Sequence, residues 1–210
     1  MIEDMGLRDR KKLETRQRIS DEATLLFVTR GFDAVTVAEI AEAANVSKMT
    51  VFNYFPRKED MFFDRLPEAR DLLLTAIDGR ADGVSPVGAI RELALDLLQQ
   101  DHPLGGAGDH RQFWRTILAS PTLRARMRES VEELEDLLTS VLLTAAPESG
   151  PTRARWSAAL IMAALRTTRQ VAAQRILAGE DPELVTAEQP ALVNELFDGV
   201  ERALDAVGAG

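Results

Sequence analysis

A chain of 210 residues with 45% hydrophobic side chains is long enough for one large or two small cores, and its Ala, Leu, Glu and Arg content favours helix, with no strand pattern competing. The absence of cysteine excludes a disulfide framework and a cysteine-ligated zinc site. A formal charge of −9 means that DNA would be repelled unless cations were gathered locally where phosphates lie.

Arg8, Arg10, Lys11, Lys12, Arg16 and Arg18 sit against only Asp9 and Glu14 and form such a local basic patch. The apolar stripe Leu13, Ile19, Ala23, Leu26 and Phe27 predicts a helix there, stopped by Gly31 with Phe32 as the accompanying hydrophobic contact. Thr36 and Glu39 have the spacing of a capping box, so a short helix is expected from Val37, burying Val37, Ile40, Ala41 and Ala44. Asn45 tolerates the left-handed conformation of a helix end, and Ser47 is placed to cap a second short helix, Lys48 to about Tyr54. Val51, Phe55 and part of Phe52 are expected to pack inward. Lys48, Met49, Thr50, Asn53 and Tyr54 then remain outside, with the donor, acceptor and methyl-contact chemistry suited to a major groove.

This segment resembles the N-terminal DNA-binding domain of TetR-family transcription regulators. The resemblance is carried by Thr36, Ile40, Ala41, Ala44, Val46, Ser47, Thr50, Val51, Phe52, Tyr54, Phe55, Lys58 and Glu59, and it covers about residues 8–65. Asn45 and Met49 stand where the family often has glycine, and Phe52 where it often has tyrosine. The resemblance implies an all-α protein of about nine helices, with a helix-turn-helix domain over residues 1–56 and an effector-binding and dimerisation domain over 57–210. It implies DNA contacts from Thr36, Val37, Ser47, Lys48, Met49, Thr50, Asn53, Tyr54 and Lys58. The implied partners are a double-stranded DNA operator, a second copy of the chain and a largely apolar small-molecule effector, with no cofactor.

Beyond residue 56, the apolar residues Phe62, Phe63, Leu66, Ala69, Leu73 and Ile77 predict a helix from about Arg57 to Ile77, kinked by an internal Pro67. Such a kink is a candidate link between effector and DNA reader. Ser85-Pro86 and Ser120-Pro121 read as caps followed by first-turn prolines, and Phe113, Trp114, Ile117 and Leu118 predict a shorter helix between them. A long helix is expected from Arg153 to about Ala178 and a last one from about Pro190 to Ala206. Both carry apolar residues on more than one side, which points to a homodimer interface including Ile161, Leu165, Ala172, Leu196, Phe197 and Val200.

Phe63, Leu66, Arg70, Phe113, Trp114, Ile117, Trp156, Met162 and Arg166 are the candidate effector contacts, mainly apolar with one or two cations for an acidic head group. His102 and His110 flank the loop PLGGAG with Asp101 and Asp109. A flexible connector is expected there and no metal site, because no helical ligand spacing accompanies them. There is no P-loop, dinucleotide fingerprint or Gly-x-Ser-x-Gly turn, so no catalytic residue and no enzyme activity are expected. The expected protein is a ligand-released repressor on a palindromic operator. Activator and nucleoid-type binder are the alternatives, though the latter leaves the C-terminal bundle without a purpose. No run reaches the roughly 20 apolar residues of a membrane helix, and the first residues lack a signal peptide's apolar run, so no membrane partner and a cytoplasmic location are expected.

Overall fold

A computed structural model describes residues 6–106 and 108–208. Nine α-helices and two 3₁₀ turns lie among the described residues, with no strand: α1 Leu7–Arg30, α2 Val37–Ala43, α3 Lys48–Tyr54, α4 Leu66–Asp78, α5 Pro86–Gln99, α6 Arg111–Ala119, α7 Pro121–Ala145, α8 Gly150–Leu177 and α9 Pro182–Gly208. No helix among the described residues is long and apolar enough to cross a membrane.

The chain divides into two compact units. The first comprises the described residues up to Asp64 together with Arg115–Met127; the second comprises Arg65–Trp114 and the residues from Arg128 onward. This differs from the expected partition at residue 56 in two ways. Met61 and Phe62, in and beside the 3₁₀ turn Lys58–Met61, are buried, and Phe62 lies 6.1 Å from the Phe27 ring, so the first unit extends past the turn. The end of α6 and the start of α7 also belong to it, burying Ile117 and Leu123.

In the first unit, α1 buries Ile19, Ala23 and Phe27, whereas Leu13 is 54% exposed and is not part of the core. Gly31 ends α1 at φ +85°, its N–H donating to the Phe27 carbonyl, and Phe32 packs on Phe27 with ring centroids 4.8 Å apart. Polar ties fix the returning segment. Ser120 Oγ donates to Asp33 Oδ1 at 3.0 Å, and the buried Arg126 pairs with Asp60 at 2.9 Å.

In the second unit, α5, α8 and α9 pack on one another and α4 packs on α5. Their core joins Leu73, Ile77, Ile90, Leu138, Ala158, Ile161, Phe197 and Val200. Ser85 caps α5 as expected, accepting from the Gly88 N–H at 3.0 Å. Two prolines are placed otherwise than expected. Pro67 stands in the first turn of α4, which begins at Leu66, so no kinked helix runs from Arg57 to Ile77; a first-turn proline lacks only an N–H that would have no helical partner. Pro190 lies inside α9 rather than at its start, because Pro182 opens the helix and Val185 and Gln189 are already buried. The glycine loop is also tied down rather than loose. His102 Nε2 meets Glu68 Oε1 at 3.2 Å, Leu104 N–H donates to His102 Nδ1, Arg169 donates to the Leu104 carbonyl at 2.7 Å and Gly108 N–H donates to Thr186 Oγ1. A β-carbon at Gly105 would come within 2.6 Å of the Leu97 carbonyl oxygen, so only glycine fits there.

Candidate nucleic-acid interface

Two seven-residue helices are too short to persist on propensity alone, and both are closed by local hydrogen bonds. At the start of α2, Glu39 N–H donates to Thr36 Oγ1 at 3.3 Å while Thr36 N–H donates to Glu39 Oε2 at 2.8 Å, completing the capping box. The Thr36 backbone N–H, then Arg30, then the Thr36 hydroxyl hold the Glu39 carboxyl well below its ordinary range, at about 2. At the other end Asn45 takes φ +51°, and Val46 N–H reaches back to the Ala41 carbonyl at 2.9 Å, as in a Schellman turn. Ser47 then caps α3 by accepting from the Thr50 N–H at 3.0 Å, and its hydroxyl lies 2.8 Å from Thr50 Oγ1.

These bonds orient α3. Val51 and Phe55 are buried, so the opposite arc faces solvent: Lys48, Met49, Phe52 and Asn53 are exposed, and Thr50 and Tyr54 are half-buried on its flank. Phe52 is 47% exposed and was expected to be partly inward. The signal for its direction was present in the sequence, since it is one helical step of about 100° past the buried Val51, on the side away from Thr50. Thr36 and Ser47 are exposed with their hydroxyls engaged in caps, and Val37 is half-buried in the first turn of α2.

Lys58 does not point outward as a phosphate contact would. Its Nζ donates to the Phe32 carbonyl and stands 4.1 Å from the Phe32 ring centroid, and burial lowers its pKa against the opposing pull of Asp33, Glu59 and Glu39. It pins the turn after α3 to the end of α1. Within the basic patch, Arg16 donates to the Asp64 carbonyl at 2.8 Å and stacks over Phe55, and Arg18 donates to the Ala44 carbonyl at 3.0 Å. Arg8, Arg10, Lys11 and Lys12 are exposed at the start of α1.

The candidate effector residues divide between the two units. Phe63 and Ile117 belong to the first unit, and Ile117 is fully buried there. In the second unit, Leu66 and Trp156 pack against the main core, Met162 is within it, Phe113 and Trp114 meet edge-on at 5.7 Å, and Arg70 and Arg166 are exposed. Trp156 also lines an open depression with Pro151, Thr152, Arg155 and Ala159. Sequence reasoning missed Arg169. Burial lowers its pKa, its guanidinium donates to the Leu104 carbonyl, and it has no carboxylate partner among the described residues. The dimer candidates need correction as well: Ile161, Ala172, Phe197 and Val200 are buried within the protomer, because α8 and α9 cover each other, while Leu165 and Leu196 are half-buried against the same core. No cluster of three or more metal-ligating side chains occurs among the described residues.

A capped helix, a tight turn and a second capped helix presenting its outer arc define a helix-turn-helix module of the kind that sets its second helix in a DNA groove. Residues 19–64 match the family described as bacterial regulatory proteins, tetR family. The chain is 30% identical over 141 residues to the HTH-type transcriptional regulator TcmR of Streptomyces glaucescens, a match spanning 65% of this chain and 62% of TcmR. It therefore covers less than two thirds of that relative's length. Similar folds include native NalD, the secondary repressor of the MexAB-OprM multidrug efflux pump in Pseudomonas aeruginosa, at TM-score 0.57 and 20% identity, covering 89% of this chain and 96% of that one. FadR of Bacillus subtilis in complex with stearoyl-CoA matches at TM-score 0.53 and 18% identity, covering 87% and 98%. Over residues 19–64 the chain thus matches the tetR family of bacterial regulators, and the likeness to NalD and FadR extends the fold over most of its length.

Proposed function

We propose that this protein is a cytoplasmic, homodimeric transcriptional regulator, a repressor that binds a palindromic operator through α3 and leaves it when a small molecule binds the second unit. The observation that carries this reading is the outer arc of α3, Lys48, Met49, Thr50, Asn53 and Tyr54, held by the Ser47 cap within the segment that matches the family. Exposed Arg8, Arg10, Lys11 and Lys12 add phosphate contacts that an acidic chain otherwise lacks.

Two copies would place two α3 helices about 34–36 Å apart, one DNA turn, and an effector preferring a conformer with another spacing would shift the population off DNA. For the contact between copies, half-buried Leu192, Leu196, Gly199 and Ala203 recur at helical spacing along one face of α9, which replaces the buried residues of that helix as the interface. For the effector, half-buried Arg169, which meets the Leu104 carbonyl and no carboxylate among the described residues, is a better cation than exposed Arg70 or Arg166.

Selection from a random-sequence DNA pool, followed by footprinting, tests the reading. A palindrome protected at nanomolar protein is expected, and combined alanine substitution of Lys48, Thr50, Asn53 and Tyr54 should abolish protection. Sequence-independent coating of the pool would instead support a nucleoid-type binder, and unchanged protection by the fourfold variant would remove α3 from the reading role.

A further inference from the structure

Two large apolar side chains stand free on the helix proposed above to read DNA. Met49 is 70% exposed and Phe52 is 47% exposed, and both lie on α3, three residues apart and on adjacent turns of its outer arc. Asn53, also exposed, sits one turn after Met49 and opposite the buried Val51 and Phe55. The hydroxyls of Ser47 and Thr50 are occupied with each other and with the cap. Apart from the Lys48 ammonium at its start and the half-buried Tyr54 on its flank, the outer arc of α3 therefore presents two hydrocarbon groups and one amide.

A groove floor offers little to hydrocarbon. Of the groups that base pairs present in the major groove, only the C5-methyl of thymine is apolar; the others are donors and acceptors that lose water against a thioether or a phenyl ring and regain nothing. An asparagine amide fits the N6–H donor and N7 acceptor of adenine in one bidentate contact. Adenine and thymine are partners, so the side-by-side arrangement of an amide and two apolar groups has one consistent target.

We propose that Met49 and Phe52 are specificity-determining residues that select thymine by its methyl group, with Asn53 reading an adjacent adenine, so that each operator half-site carries A·T pairs beneath α3. This rests on the DNA-reading function proposed above and names the base chemistry it selects.

The full-length protein should first be used to select its operator from random-sequence DNA. Each thymine of the half-site is then replaced singly by deoxyuridine, which pairs in the same way but lacks the methyl. Loss of one buried methyl is expected to weaken binding about fourfold at two positions of each half-site. Met49→Ala should remove that discrimination at one position and Phe52→Ala at the other. Circular dichroism should be unchanged, because neither side chain is part of the core. A selected half-site made of G·C pairs beneath α3 would overturn the proposal. So would a sequence-specific operator on which deoxyuridine is tolerated within twofold at every position. Failure to select any operator would instead overturn the DNA-reading function itself, and this inference with it.

Discussion

Helices α3 and α8 are held in place by different means. The seven residues of α3 bury only Val51 and depend on Ser47 at one end and on the Phe55 N–H bonded back to Val51 at the other. The 28 residues of α8 bury Ala154, Ala158, Ile161, Met162, Ala164, Thr168, Ala172, Ala173 and Ile176, which reach around more than one side of the helix. A short helix fixed by caps keeps its outer arc free for a partner, whereas a helix buried on several sides spends its apolar residues on its own fold. Apolar content on a helix is therefore a poor guide to an interface until its packing is known.

The largest effect that tests this contrast is at Phe197, fully buried in the core that α8 and α9 share. Phe197→Asp should cost about 4 kcal/mol or more, because an unpaired carboxylate would lie among hydrocarbon. Leu196→Asp, one residue earlier and half-buried, should cost much less and should instead lower the mass seen by light scattering. A folded Phe197→Asp protein with an unchanged urea midpoint would return that residue to the surface.

At the cap, Ser47→Ala should destabilise the first unit by about 1 kcal/mol, read as a lower thermal midpoint with the far-ultraviolet signal of the rest retained. The neighbouring box responds to pH. Glu39 has its pKa lowered from about 4.5 to about 2, so its contribution is complete above the higher value and is lost as pH falls toward the lower one. Glu39→Gln should flatten the fall in stability over that window, and an unaltered acid limb in the variant would mean that the box does not contribute.

Pro67→Ala should give the smallest change, about 0.5 kcal/mol, since the residue starts α4 and bends nothing. A large change in effector-induced operator release in this variant would restore a mechanical role to it.

The parts of the fold that were legible in the sequence are those decided by neighbours in the chain. Thr36 with Glu39, Asn45, Ser47 and Ser85 with Pro86 act over three or four residues, and each does what its type and spacing imply. Pro67 was misread because Arg65 before it is no cap, so the apolar period ran through the true helix start. Pro190 was misread in the opposite sense, as a beginning, although Asp181 with Pro182 supplies the real one, Glu183 N–H donating to Asp181 Oδ1. In the candidate interface, the directions of Lys48, Met49 and Asn53 followed from the burial of Val51 and Phe55. The inward turn of Lys58 did not, because its acceptor, the Phe32 carbonyl, lies 26 residues away. The same holds for Arg169, whose bond to the Leu104 carbonyl, with no carboxylate partner among the described residues, is a property of the packed unit and not of any local pattern.

The return of Arg115–Met127 to the first unit governs the order in which that unit is completed during synthesis. A nascent chain ending at Asp64 contains α1, α2 and α3 but not Leu123 for its interior, Ser120 for Asp33, or Arg126 for Asp60. At roughly 5–20 residues per second the ribosome needs several seconds more to supply them. Through that interval the amino-terminal helices wait with an open face, accessible to chaperones and proteases, and for the same reason a gene fragment cut after residue 64 encodes an unfinished module.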